Sequence, residues 1–330
     1  MIKNRNIAKD AAIELSKIAG GATGEVFYVC PVSNTAVHDW LANRVPSGHL
    51  FTTLAQAYSA CVTLRGDTIY IFPGDYACTS HIDIDKDNIR IIGASSPNMA
   101  YGASTPASGI VRLKTVTAAQ DYVLHITGDY VQLYNIETFN SADNAGNYAD
   151  IYVVGRNFYA NNCAFRGGNG ATQVTTATAG VPVKIASTAY AARFDDCRIG
   201  SPGNTTRTTG PGFVRFEAGA GGAGMVQFNN CIFAMRSETT GDNVSGFIIE
   251  EGSIDRLLIF RGCTFYNFSV NWGALPDHMI NDDQTATHDV LFCGGCGMMG
   301  FDSASDSARV MASDPLPHTN AIEALAVAIT

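Results

Sequence analysis

One short motif returns five times in this chain, and little else about the sequence constrains its fold so tightly. The copies are Ala160-Asn161-Asn162-Cys163-Ala164-Phe165, Phe194-Asp195-Asp196-Cys197-Arg198-Ile199, Phe228-Asn229-Asn230-Cys231-Ile232-Phe233, Phe260-Arg261-Gly262-Cys263-Thr264-Phe265 and Cys293-Gly294-Gly295-Cys296-Gly297-Met298. Their central cysteines lie 34, 34, 32 and 33 residues apart. Leu133-Tyr134-Asn135-Ile136 is an earlier copy with Ile in the cysteine slot, and Ile91-Ile92-Gly93-Ala94 an earlier one still. The residue before the slot is Gly93, Asn135, Asn162, Asp196, Asn230, Gly262 or Gly295. These are the residue types that tolerate a left-handed backbone. A near-constant period with a left-handed bend at one phase predicts a coil whose turns stack, a parallel β-helix.

Parity within a repeat agrees. Val226 and Phe228 share a face while Gln227 points away, and after the bend Cys231 and Phe233 share a face again. A further strand is expected in each repeat at Val123–Ile126, Ile151–Val154, Val181–Ile185, Phe213–Phe216, Phe247–Glu250 and Met279–Asn281. Each turn is then three strands and a loop, about six turns in all, with the five motif cysteines forming an inward ladder of free thiols. Cys293 falls in the slot of Phe260 and Cys296 in that of Cys263, so core packing is preferred for this CxxC over a zinc site that lacks a second pair. Cys30, Cys61 and Cys78 stand outside the ladder, and nine cysteines in so long a chain are no disulfide scaffold.

Composition narrows the function. The chain is 46% hydrophobic and 15% charged with 33 glycines, which suits stacked strands joined by polar turns. A net charge of −9 offers no footprint for nucleic acid or acidic membranes. No apolar run approaches the ~20 residues of a membrane span, and the start, Met1-Ile2-Lys3-Asn4-Arg5-Asn6, lacks the apolar core of a signal peptide.

In chain order, residues 1–24 are expected to form a helical arm. Its stripe is Ala11, Leu15 and Ile18, with Asp10 as cap and Gly20-Gly21 as stop; it either caps this fold or reaches a neighbour. The β-helix is expected over 25–302. It opens with the strand Glu25–Val29, a polar excursion over Asn34–His49, and an entrance cap at 51–64 whose helix puts Leu54, Tyr58 and Cys61 on one face. The periodicity ends after Gly300. Residues 303–330 read as an extended tail, with a capping box at Asn320–Glu323 before a short apolar helix that covers the last coil or a subunit.

The series from Phe51 through Gly66-Asp67-Thr68-Ile69-Tyr70-Ile71-Phe72-Pro73-Gly74-Asp75-Tyr76 to Asp87-Asn88-Ile89-Arg90-Ile91-Ile92-Gly93 resembles the entrance of pectate-lyase-like right-handed β-helix proteins. The resemblance implies a helix capping the open N-terminal end, and the later repeats extend it to Phe301. The segment Asn6–Ile18 is similar in style to the start of tailed-phage virion proteins. Together these imply an all-β right-handed parallel β-helix of the kind carried on phage particles.

The chemistry of that fold family is not matched. The calcium-binding aspartates and proton-abstracting arginine of the lyases have no counterpart here, nor do the Asn-Thr-Asp, Asp-Asp, Gly-His-Gly and Arg-Ile-Lys motifs of the polygalacturonase branch. Asp195-Asp196 stands without a downstream Gly-His-Gly, and Asp196 sits at the bend phase; Glu250-Glu251 and Asp282-Asp283 follow no pattern. The histidines His38, His49, His81, His125, His278, His288 and His318 show no metal-ligand spacing. Gly219–Gly224 lacks the strand–loop–helix setting of a phosphate cradle. No catalytic, cofactor-binding or metal-ligating residue is therefore assigned, and no cofactor.

Long loops at Arg166–Gly180, Gly200–Gly212, Ala234–Gly246 and Tyr266–His278 emerge at one phase, where a solenoid places recognition or tolerates decoration; Tyr266, Phe268 and Trp272 are candidates for a covered contact. Ile232, Ile259 and Phe292 are expected as outward apolar positions for subunit packing. The expectation is a virion protein made in the host cytoplasm, a homotrimer contacting other virion proteins such as the major capsid protein. Capsid decoration is preferred over a tail-spike adhesin that binds or cleaves host glycan, because the two ends leave little chain for a spike's extra modules. A secreted carbohydrate lyase ranks third.

Overall fold

The structure is a computed structural model that describes residues 24–95, 109–117, 120–140, 149–167, 180–200, 206–219, 222–240, 244–268, 275–282, 288–306 and 310–313. The terminal helices expected within 1–24 and 320–330 lie outside these residues, as does Trp272.

Among the described residues the strands form three parallel sheets, one of 11 strands and two of eight. The chain visits them cyclically. Tyr159–Asn161 lies in the first sheet, Ala164–Phe165 in the second and Val183–Ile185 in the third, before Ala192–Asp195 returns to the first. The second and third sheets count eight coils where about six were expected. The additional ones begin at Gly74–Cys78, where the repeated cysteine motif has not yet started. Ser303–Ser305 and Val310–Ala312 add strands beyond Gly300, where the periodicity had been expected to stop.

Stacking carries like residue over like residue. Cys163, Cys197, Cys231, Cys263 and Cys296 all face the core. Each thiol after the first donates to a carbonyl one coil back: Cys197 to Ala160, Cys231 to Phe194, Cys263 to Phe228 and Cys296 to Phe260, at 3.3–3.6 Å. Beside them Phe194, Phe228, Phe260 and Phe292 stack with centroids 4.8, 5.4 and 5.0 Å apart and nearly parallel rings. A second pile joins Phe233 to Phe265 at 4.9 Å. Offset ring pairs of this kind add to what burial alone supplies.

The bends are left-handed as expected at Asn135, Asn162, Asp196, Asn230, Gly262 and Gly295, with φ between 49° and 80°. Their amides hold the next coil: Asn162 N donates to Asp195 O at 3.0 Å and Asn230 N to Arg261 O at 2.8 Å. Gly93 is an exception. It does not adopt positive φ, and glycine is required there because a Cβ would lie 2.1 Å from the carbonyl oxygen of Asn135.

Phe292 corrects another expectation: it is buried in the ring stack, not outward. The last bend carries both Gly294 and Gly295 at positive φ, one residue more than its predecessors. Phe292 therefore pairs with Phe260 and Cys293 with Arg261, and the extra residue exchanges the faces inferred by counting back from Cys296. Ile232 and Ile259 are half-buried at their outward register positions.

At the entrance, the helix Leu54–Ala60 lies against the first strands with Leu54, Ala57 and Tyr58 buried. The Thr53 side chain caps it by accepting from Gln56 N. The excursion over 34–49 contains an eight-residue helix, Thr35–Ala42, that sequence periodicity had not revealed. Val37, Trp40 and Leu41 share one face of it, but only Leu41 is buried and Trp40 stays exposed, so the helix is a weakly packed one inside a polar stretch.

Candidate functional site on the outer wall

Residues that point away from the core also fall into columns. On the third sheet Asp83, His125, Tyr152, Lys184 and Arg215 occupy one outward column, each in register with the next. His81 precedes the strand Ile82–Ile84 by one residue and, by parity, shares the outward face with Asp83.

At the start of this column three metal-type ligands meet. His125 Nδ1 lies 2.8 Å from Asp83 Oδ1 and His81 Nε2 lies 3.4 Å from Asp83 Oδ2. Among the described residues this is the one group of three or more His, Cys, Asp or Glu side chains whose ligand atoms all lie within 4.8 Å of one another. The His125 ring is clamped by aromatic neighbours. Tyr152 stacks on it at 5.3 Å with 10° between planes, and Tyr122 packs against both.

The column continues as ion pairs. Lys184 is almost wholly buried, its Nζ 2.5 Å from Glu217 and 5.0 Å from the Tyr152 ring centroid. Burial pulls the lysine down from its ordinary range, against the pull of the Glu217 carboxylate. For Glu217 burial acts upward, yet the bonds from Lys184 and Tyr152 outweigh it and hold the carboxyl below its usual range. Burial, reinforced by Glu217 and Asp121, pushes the Tyr122 phenol up to about 12. Arg215 pairs with Glu250, so the Glu250-Glu251 dipeptide contributes a closed ion pair.

On the first sheet, Asp195 accepts from Tyr159 Oη at 2.9 Å, Arg193 Nε at 2.9 Å and Asn229 Nδ2 at 2.7 Å. Burial would raise this carboxyl, but those three donors prevail and lower it. Asp196 stands at the left-handed bend with φ 52°, as its phase predicted. Adjacent Asp195 and Asp196 thus do different structural work. Asp282 faces buried His288 at 3.3 Å, and Asp283 lies outside the described residues.

A further charged cluster lies on the outward side of the second sheet. Arg112 Nε meets Glu137 at 2.5 Å, Arg166 approaches the same carboxylate at 3.5 Å, and all three are buried. Beside them buried Asp150 accepts from the backbone N–H groups of Asn140 and Gly167, each at 2.7 Å, while burial pushes its carboxyl up to about 7. Sequence reasoning missed this cluster, because its members are isolated charges that only the register brings together.

The chain was compared with known proteins. No protein-family model matches it, and no curated protein does. Among solved structures, a pectin methylesterase from Aspergillus niger is 14% identical, with 87% of this chain and 83% of the esterase covered and a TM-score of 0.50. A pectate lyase is 13% identical over 88% of this chain and 79% of its own, TM-score 0.42. A tailspike protein of Acinetobacter baumannii bacteriophage Fri1, a capsular polysaccharide depolymerase, is 12% identical over 92% and 64%, TM-score 0.29. The likeness to the esterase establishes the fold, a right-handed parallel β-helix, and the fold alone. Among the described residues no helix is long and apolar enough to cross a membrane.

Proposed function

We propose that this chain is a rigid, non-enzymatic structural component of a tailed-phage particle, most simply a capsid-decorating or cementing protein acting as a homotrimer. The observation that carries this reading is how three of the described outer-wall carboxylates are used, while Asp150, the one pushed up to about 7, is wholly buried on the Asn140 and Gly167 amides and closed to substrate. Glu137, Asp195 and Glu217 are each closed in ion pairs with Arg112, Arg193 and Lys184. A glycan-cleaving pair needs one carboxyl held protonated near neutrality and open to substrate, whereas Asp195 and Glu217 are held ionised. The likeness of the segment Asn6–Ile18 to the start of tailed-phage virion proteins supports the location. Light scattering on the purified chain tests the trimer, and immunogold labelling of purified particles tests the place; a monomer absent from particles would overturn the reading.

A second reading, an adhesin binding or depolymerising host surface glycan, is favoured by the stacked Tyr122, His125 and Tyr152 on the outer wall, since sugar rings pack on aromatic faces. New reducing ends or unsaturated products after incubation with host polysaccharide would favour it over the first.

A further inference from the structure

We propose that His81, Asp83 and His125 bind a divalent transition-metal ion of the Zn²⁺ type, tying the first coil of the third sheet to the second. Two imidazoles and one carboxylate form the three-ligand set that leaves one position open to water. They suit a borderline ion, whereas Mg²⁺ and Ca²⁺ require oxygen ligands in larger number.

The geometry is near what such an ion demands. With ligand bonds of about 2.0–2.1 Å, neighbouring donor atoms of a tetrahedron stand about 3.3 Å apart. His81 Nε2 and Asp83 Oδ2 are 3.4 Å apart, His125 Nδ1 and Asp83 Oδ1 2.8 Å, and all three ligand atoms fall within 4.8 Å of one another. The backbone is already in place, because Asp83 is opposite His125 across a parallel ladder that continues through Ile84 and Ile126. The Tyr152 and Tyr122 rings hold the His125 imidazole in its plane, limiting the side-chain freedom lost on binding. All three side chains reach solvent, with Asp83 57% and His81 42% exposed, so an ion has access and the fourth ligand is water.

The site spans two strands, and its Asp83 and His125 stand 42 positions apart in the chain, so bound metal bridges segments distant in sequence. It should therefore oppose separation of the first coil from the second and make unfolding metal-dependent.

The test is calorimetric titration of the chelator-treated full chain with ZnCl₂ and, separately, MgCl₂, alongside melting curves with and without Zn²⁺. One Zn²⁺ per chain, no Mg²⁺ heat at the same concentrations and a higher melting temperature with Zn²⁺ are expected. His125→Ala, His81→Ala and the near-isosteric Asp83→Asn should each weaken Zn²⁺ at least about tenfold, as losses of 10–100-fold follow even from disturbing a ligand's support. His38→Ala, on the separate helix Thr35–Ala42, should leave binding unchanged. Circular dichroism establishes that the variants keep the fold. Absence of Zn²⁺ binding in the wild-type chain, or binding indifferent to all three substitutions, would mean the cluster is only a hydrogen-bonded surface group and would overturn the proposal.

Discussion

Arg65 grips Asp67 with both Nε and Nη2, at 2.6 and 2.8 Å, where the carboxylate is completely removed from solvent. The same two oxygens accept from the backbone N–H groups of Glu25 and Val62, so one side chain joins the first strand to the end of the entrance helix. Burial pushes this carboxyl up, but the four donors together bring it below its ordinary value.

Asp67→Asn should therefore cost about 2–3 kcal/mol, as it removes the buried acceptor of four hydrogen bonds and leaves Arg65 with Glu25 alone. The sign of the pH effect follows from the depressed value. The carboxylate's contribution is complete above the unfolded-state range near pH 4 and is lost as pH falls from there through the lower folded-state value. Denaturant midpoints measured from pH 6 down to pH 2 should fall less steeply for Asp67→Asn than for the wild type.

Phe228 stands in the middle of the ring stack, between Phe194 and Phe260. Phe228→Ala should lower stability by about 3–5 kcal/mol, the range for removing a buried aromatic ring, while Phe228→Leu should cost clearly less. Guanidinium unfolding monitored by circular dichroism checks both.

Asn230 occupies a left-handed bend with φ 52°, and its side chain reaches Asp196 at 3.4 Å. Asn230→Gly should cost under about 1 kcal/mol and Asn230→Val about 2 kcal/mol or more, because a β-branched residue is strained there. Equal losses in thermal melts of the two variants would contradict the role assigned to the bend.

The ladder thiols should be unreactive in the folded chain. Burial raises Cys163, Cys197 and Cys231 well above the ordinary thiol range; Cys263 is drawn down, against burial, by bonds from Cys231 and Cys296 but is wholly closed to reagent, and only Cys293 of the nine is more than marginally accessible. An aromatic disulfide reagent at pH 8 should titrate about one thiol per native chain and all of them after denaturation. Cys293→Ser should abolish the native signal.

Lys184→Met should destabilise by roughly 2–4 kcal/mol, since it takes the charged partner from half-buried Glu217 and leaves it the Tyr152 hydroxyl. Adding Glu217→Gln should recover part of that loss. A double-mutant cycle from urea midpoints gives the coupling.

Much of the fold was legible because a solenoid writes its geometry once per turn. The cysteine slot, the residue before it and the parity of Val226 and Phe228 all repeat at a spacing the eye can find. What stayed hidden depends on register. Asp83 and His125 are 42 residues apart, a longer turn than the later 32–34, so the His–Asp–His cluster falls outside the period that revealed the coil. The extra glycine at Gly294-Gly295 misled the assignment of Phe292 for the same reason: one added residue reverses every face before it. Arg112 and Glu137 carried no local signal at all, because a pair formed between coils is written as two unrelated charges.

The three parallel sheets give the molecule a unit of length. Each added coil advances the axis by about 4.8 Å, and each rests chiefly on the coil before and after it. Inserting or deleting one whole turn, such as the segment between Cys197 and Cys231, would move whatever is fastened at the two ends by that single increment and leave the cross-section unchanged. The protein is in this sense a gauge block, and its number of rungs sets the distance between its two ends.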